Sequence, residues 1–228
     1  MQVAILAGGL ASRLGNLSKN RPKSLIMFKG KPFVEYQIEQ LRRDGIRDIV
    51  LCIGYLGDQI QEYIGNGEKY GVHIRYSIEK TPLGTAGALR NAGTLLMDPF
   101  FTLYGDSYVF VDFGEILRYF LSEAMLALMT VYRNYDKFDR SNTAVDGQIV
   151  TRYDKEEKTE DMVYIDYGVS VFRKQVLDMI PEGQFYSLGD LFRELITMKS
   201  LLAFEADQRF YEIGSEKGLK GFSKFIGG

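Results

Sequence analysis

The stretch from Val3 to Ser24 constrains the chain more than any other. It opens with the apolar run Val3-Ala4-Ile5-Leu6, which reads as a buried parallel strand. The run stops abruptly at Ala7-Gly8-Gly9. Two glycines let a backbone approach a ligand closely, and their N–H groups can face phosphate oxygens. Arg13 and Lys23 follow as fixed positive charges, one suited to bidentate phosphate contact and the other to a movable point charge. Together these parts predict a triphosphate cradle. Taken alone they also fit an ordinary strand-to-loop turn with surface cations. No Walker A loop and no G-x-G-x-x-G is present. Support must come from the rest of the chain.

Bulk properties exclude several classes. At 228 residues, 46% apolar and 25% charged, the chain fits one domain, 1–228. A net charge of −2 gives no electrostatic case for nucleic acid or an anionic membrane. Cys52 cannot form an internal disulfide, since it is the only cysteine, and reads as a buried strand residue. With His73 as the single histidine, no His-based relay or metal cluster can be built. No signal-peptide pattern or membrane-length apolar run occurs, so a cytoplasmic location is expected. Oligomeric state, monomer or dimer, stays open.

In order along the chain, the periodicity predicts a helix from Phe33 to Leu41 closed by Asp44-Gly45, a strand 49–53, a short helix 58–64 and a strand 72–78. Pro82-Leu83-Gly84 makes a tight loop. Thr85 is placed to cap a helix from Ala86 to about Met97. The small residues opening that helix leave room for a nucleobase, or equally serve close helix–sheet packing. Strand 100–104 ends at Gly105-Asp106-Ser107. In an open α/β sheet ligands bind beyond the carboxyl ends of strands, so Asp106 is positioned as a Mg²⁺ ligand. The second half predicts a helix 113–121, a strand 124–132, a hairpin 142–153 around Asp146-Gly147, and a strand 162–172. Helices at 174–180 and 188–199, strands at 201–206 and 209–214, and a last helix 216–225 complete it. The class is α/β: a mostly parallel mixed sheet flanked by helices, with a small antiparallel annex.

Read together, LAGGLASRL, RPKSL, PLGTAGAL, GDS, YDK, YGVSVF and YEIGS resemble, in that order, the sugar-1-phosphate nucleotidyltransferases. The likeness is to the short single-domain branch, such as the heptose-1-phosphate guanylyltransferases and N-acetylmuramate-1-phosphate uridylyltransferases. It implies a Rossmann-like fold of the nucleotide-diphospho-sugar transferase type, with a nucleotide-binding half at 1–110, a sugar-phosphate-binding half at 111–228 and the annex binding sugar. It implies an enzyme that makes an NDP-sugar and pyrophosphate from an NTP and a sugar 1-phosphate, with Mg²⁺ as cofactor. The lean is to GTP with D-glycero-D-manno-heptose 1-phosphate. By resemblance, Arg13, Lys23 and Asp106 are catalytic. Leu6, Ala7, Gly8, Gly9, Ser12, Leu83, Gly84 and Thr85 bind nucleotide. Lys155, Asp166 and Gly168 bind the sugar phosphate, and Asp106 with Glu212 holds the metal. Base choice would lie around Gly8, Glu79 and the Leu83–Gly87 loop. Sugar choice would involve Tyr104, Asp166, Tyr167 and residues 134–142.

Four positions depart from the family pattern. Ala11-Ser12 replaces Gly-Thr, Ser24 stands where a second Pro is common, and Glu212 replaces a metal-binding Asp. Alternatives are transfer of a uridylyl or cytidylyl group to another sugar or alcohol phosphate, a silent nucleotide-sugar-binding regulator, and a glycosyltransferase. The last would usually carry Asp-x-Asp, which Gly105-Asp106-Ser107-Tyr108 does not match.

Overall fold

The computed structural model describes residues 1–9 and 20–227. In chain order the strands are β1 (Gln2–Leu6), β2 (Met27–Phe28), β3 (Lys31–Pro32), β4 (Asp48–Ile53), β5 (His73–Ile78), β6 (Phe100–Tyr104), β7 (Ser107–Tyr108), β8 (Ala127–Arg133), β9 (Thr143–Asp146), β10 (Ile149–Tyr153), β11 (Tyr164–Phe172), β12 (Leu201–Glu205) and β13 (Tyr211–Glu212). The α-helices are α1 (Phe33–Arg43), α2 (Gly57–Ile64), α3 (Gly84–Asn91), α4 (Phe113–Ser122), α5 (Leu188–Thr197) and α6 (Glu216–Phe225). Nine strands form one sheet in the order β5-β4-β1-β6-β11-β8-β12-β10-β9. The pairings among β5, β4, β1 and β6 are parallel. Strand β11 runs antiparallel to both β6 and β8, and the β9–β10 hairpin closes the far edge. The mixed α/β sheet is as expected. Its antiparallel part continues the same sheet rather than standing apart from it.

Alternation along the strands decides which helices cover which face. Val3, Ile5, Leu51 and Phe101 point to one side, where α1, α2 and α4 supply Val34, Ile38, Ile60 and Phe120. Ala4, Val50, Cys52 and Phe172 point to the other, against Ala86 and Leu89 of α3 and Leu191 and Phe192 of α5. Burial pushes the Cys52 thiol up to about 12, so it is an inert core residue at neutral pH. A third cluster is aromatic. Phe222 of α6 meets Phe28 at 4.9 Å and Phe33 at 5.0 Å between ring centroids, and Ile213 packs with them. This cluster fastens β13 and α6 beside the β2–β3 ribbon.

Several element boundaries differ from the sequence reading. Helix α3 stops at Asn91, short of Met97. Residues Lys174–Met179 form a 3₁₀-helix, not an α-helix. Strand β8 begins at Ala127, three residues after Ala124. Thr85 is not a cap: Leu83 holds that position without a side-chain bond, and the Thr85 Oγ1 accepts the Leu188 N–H at 2.7 Å. Among the described residues, no helix is long and apolar enough to cross a membrane.

Candidate active site

The carboxyl ends of β1, β4, β5 and β6 open onto a cleft of about 480 Å³. Leu6, Ala7, Gly8 and Gly9 form its floor, and Lys23, Glu79, Gly84, Asp106, Lys155 and Glu212 are among its walls. That volume is in the usual range for a small-ligand site. An adjoining cavity of about 440 Å³, beside the start of α5, shares Thr85, Tyr104 and Lys155 with it.

The floor is set by two close backbone approaches. Ala7 N–H donates to the Cys52 carbonyl at 2.8 Å, so the chain leaves β1 still paired. Gly105 N–H donates to the Leu6 carbonyl at 3.0 Å. A Cβ on Gly105 would lie 2.6 Å from that same oxygen, so only glycine lets the turn after β6 lie against the end of β1. The turn is also held from beneath. Gln37, fully buried on α1, donates from Nε2 to the Tyr104 carbonyl at 2.9 Å and the Ser107 carbonyl at 2.7 Å. These two bonds fix the segment that carries Asp106. Gln37 was not singled out from the sequence. Its signal was a glutamine on the apolar face of an amphipathic helix, between Phe33, Val34, Ile38 and Leu41.

Lys23 and Asp106 meet directly, Nζ to Oδ2 at 2.9 Å, both partly exposed to the cleft. Glu212 joins them. A Cβ built on Gly214 would sit 3.0 Å from Glu212 Oε2, 3.1 Å from Asp106 Oδ2 and 3.3 Å from Lys23 Nζ. The extra methylene of Glu212 is absorbed by a fold-back. Its carboxylate accepts the Gly214 N–H and the Ser215 hydroxyl at the start of α6, where the helix dipole favours an anion. Gly218 makes room, because a Cβ there would fall on Glu212 Oε1. Pairing of β13 with β7 sets Glu212 opposite Ser107, next to Asp106 in the chain. Two carboxylates on separate segments, facing a cleft of phosphate-binding size, fit Mg²⁺. That ion takes one or two carboxylates and leaves its other positions to water and substrate phosphates. Among the described residues, no group of three or more His, Cys, Asp or Glu converges as a closed metal cage.

Glu79 lies across the cleft. Its Oε2 accepts the Leu83 N–H at 3.2 Å, and its Oε1 has no donor among the described residues. The carboxylate rests against Gly8 and Gly54, where a Cβ would approach Oε1 to 2.9 and 2.6 Å. Burial raises its pKa above the ordinary carboxylate value, and the Leu83 N–H offsets part of that. Ser24 also lines the cleft, its hydroxyl buried and without a hydrogen-bond partner among the described residues.

On the sugar side the expected residues divide. Lys155 is exposed and holds its ammonium 5.5 Å from the Tyr104 ring centroid and 5.9 Å from that of Tyr153. Asp166 lies behind these rings, not on the cleft wall. Its Oδ2 accepts the Tyr104 hydroxyl at 2.8 Å and the Tyr153 hydroxyl at 3.4 Å, and its Oδ1 accepts the Gly168 N–H at 2.9 Å. Burial and the Asp166 charge raise the Tyr104 pKa well above its usual value, so Tyr104 stays a donor. Gly168 also sits behind the wall. It lies in a bulge where β11 slips against β8 between Asp166 and Ser170, with φ +93°, and a Cβ would press on Ser107 and Tyr104 at 3.1 Å. Tyr167 faces away, its hydroxyl accepting the Phe110 N–H at 2.9 Å. From residues 134–142, Asp139 reaches the cleft.

The base loop also departs from expectation. Gly84 and Thr85 line the cleft, but Leu83 contributes through its backbone alone, as donor to Glu79 and acceptor from Tyr186 N–H at 2.8 Å. The small residues at the start of α3 are used for packing. A Cβ on Gly84 would meet the Tyr186 carbonyl at 2.7 Å, and one on Gly87 the Gln184 carbonyl at 2.9 Å. Arg13 and Ser12 lie outside the described residues.

With this geometry in place, comparison with known proteins decides the family. Residues 2–220 match the family model described as nucleotidyl transferase. The chain belongs to the nucleotidyl transferase family. It is 30% identical to a D-glycero-alpha-D-manno-heptose 1-phosphate guanylyltransferase from Campylobacter jejuni, over 94% of this chain and 95% of the relative. A mannose-1-phosphate guanyltransferase from Yarrowia lipolytica is 31% identical over 95% of this chain but only 61% of its own length. In fold, HddC from Yersinia pseudotuberculosis superposes with a TM-score of 0.81, covering 99% of both chains at 24% identity. The motif resemblance to short sugar-1-phosphate nucleotidyltransferases, and the enzyme class it implied, are borne out.

Proposed function

We propose that this nucleotidyltransferase moves a guanylyl group from GTP to a sugar 1-phosphate, with D-glycero-D-manno-heptose 1-phosphate as the favoured acceptor, and releases pyrophosphate. The observation that carries the base choice is Glu79. Guanine presents two adjacent donors, N1–H and N2–H, on its pairing edge. A carboxylate with one oxygen lacking a donor and the other accepting a single N–H matches that pair. Uracil and thymine offer one N–H between two acceptors, which a carboxylate repels. Adenine and cytosine each offer one donor beside an acceptor. The guanylyl transfer of the Campylobacter and Yarrowia relatives supports the same choice, and the near-complete mutual coverage of the former favours heptose.

In the reaction, an oxygen of the sugar phosphate attacks the α-phosphorus. The bond from that phosphorus to the bridging oxygen breaks, and pyrophosphate leaves with the electron pair. The nucleophile is already an anion, so no general base is needed. Catalysis then rests on alignment and charge neutralisation. Leu6–Gly9 line the nucleotide, with the N–H groups of Gly8 and Gly9 turned to it and Gly84 and Thr85 at its rim; by the family resemblance Ser12 also serves the nucleotide. Lys23 and Arg13 take up charge on the phosphates. Lys155 draws in the sugar phosphate beside Tyr104, and Asp166 holds that tyrosine in place. Asp106 and Glu212 would hold Mg²⁺, which when bound neutralises the α-phosphate and orients both substrates. Lys23 would turn from Asp106 to the phosphates, leaving that carboxylate available as a metal ligand.

The test is pyrophosphate release with Mg²⁺, crossing GTP, UTP, CTP, dTTP and ATP against heptose, mannose, glucose and N-acetylmuramate 1-phosphates. Release with GTP and heptose 1-phosphate, lost on adding EDTA, is expected. Release confined to another nucleotide would refute the guanine assignment.

A further inference from the structure

Phe185 is the most exposed large hydrophobic side chain among the described residues, at 68%, and it lines the nucleotide cleft. An exposed phenyl on a mobile surface turn would need no explanation. The backbone around this one is clamped. Tyr186 N–H donates to the Leu83 carbonyl at 2.8 Å, and the Tyr186 carbonyl accepts the Ala86 and Gly87 N–H groups at 3.0 Å each. Leu188 N–H donates to Thr85 Oγ1 at 2.7 Å. Gly84 is required for this contact, since its φ is +73° and any Cβ would strike the Tyr186 backbone. The chain thus spends four hydrogen bonds and a glycine on fixing the segment that bears the ring. The same Leu83 that receives Tyr186 gives its N–H to Glu79. Phe185 and Glu79 are therefore fastened to one residue, one offering a flat apolar face and the other a polar edge.

We propose that Phe185 is a stacking platform for the nucleobase, covering its face while Glu79 reads its edge. The inference rests on the nucleotidyl-transfer reading above but not on the identity of the base, because every base has a π-face. Phe has two side-chain torsions, so ordering it on the ligand costs little entropy.

The chain contains no tryptophan, so Phe185→Trp introduces a single one at the platform, whose emission can be excited selectively over that of the 15 tyrosines. Its emission is expected to be quenched by GTP, and by the other NTPs at higher concentration, but not by inorganic tripolyphosphate or mannose 1-phosphate. Phe185→Leu keeps apolar bulk without the π-face. It is expected to weaken nucleotide binding by calorimetry about 5- to 100-fold, the usual worth of one base–aromatic stack. Its melting temperature and its KM for the sugar phosphate should stay at wild-type values. Full nucleotide affinity in Phe185→Leu would overturn the proposal, as would quenching by the sugar phosphate alone. If wild type binds UTP or CTP in place of GTP and that nucleotide quenches, the guanine reading fails and the platform stands. If wild type binds no nucleotide, both fall.

Discussion

The two halves of the sheet build the site in different ways. On the parallel side, from β5 to β6, functional groups arrive on the turns that leave the strands. Gly8, Glu79 and Asp106 each lie just past the carboxyl end of a strand, and close backbone approaches bring them together. On the antiparallel side, side chains do this work across strands. Tyr104, on the β6 strand that borders both sides, joins Tyr153 of β10 and Asp166 of β11 in one hydrogen-bonded cluster, shaped by a bulge at Gly168. Parallel topology places ligands by rule. Antiparallel strands place them by register, which one or two residues can change.

The sharpest way to break this comparison is at the parallel side's charged centre. Asp106→Asn, or Lys23→Ala, is expected to lower turnover by roughly 10²- to 10³-fold with an unchanged melting temperature, the usual cost of one group acting on transition-state charge. Pyrophosphate release measures it. Near-normal turnover in both variants would remove the Lys23–Asp106 pair from the mechanism.

Next in size is the base edge. Glu79→Gln should cut the preference for GTP over UTP by about 10- to 100-fold in kcat/KM, the range of one or two lost hydrogen bonds to a charged group. Because the Glu79 pKa is raised, its carboxylate protonates at a higher pH than an ordinary glutamate. In wild type, KM for GTP should therefore begin to rise with acidification before an unperturbed carboxylate would titrate. The Gln variant should lack that limb of the profile. A profile shared by both proteins would show that another group titrates.

The antiparallel side gives smaller, split effects. Tyr104→Phe removes a donor from buried Asp166 and should cost about 1 to 3 kcal/mol of stability in urea unfolding. It should also raise KM for the sugar phosphate several-fold while leaving that for GTP unchanged. An equal change in both constants would argue that the two halves are not separate in function. Smallest is Ser24→Ala. The unpartnered hydroxyl is lost, and stability should rise by up to about 1 kcal/mol, read as a higher midpoint. A fall would mean that the hydroxyl has a partner in solution.

How far the site could be read in advance follows the same division. Lys23, Asp106 and Glu212 stand at positions fixed by motif and strand order, and they converge. Asp166 and Gly168 carried the right motif but sit one layer behind the wall, because the bulge in β11 turns them toward Tyr104. Gly84 and Gly87 fit either space for a base or close packing, and residues 184–186 decide for packing. Nothing in the local sequence of α3 names a partner about a hundred residues away.

By itself, the sequence determined the βα alternation, the glycine turn after β1, the acid at the end of β6 and the family. Each depends on local periodicity or on a short motif whose chemistry is local. Tertiary structure alone decided that Gln37 supports the Asp106 turn and that Glu212 folds back on α6. It likewise tied Glu79 and the segment that bears Phe185 to one residue, Leu83, and made Asp166 the support of Tyr104. Gln37 under the Asp106 turn and Asp166 behind Tyr104 join segments far apart in the chain; the bonds of Glu212 and Glu79 are local, but the cleft they line is assembled from distant segments. Their geometry follows from how the layers pack, and packing distances of a few ångströms leave no mark in a pattern of residue types.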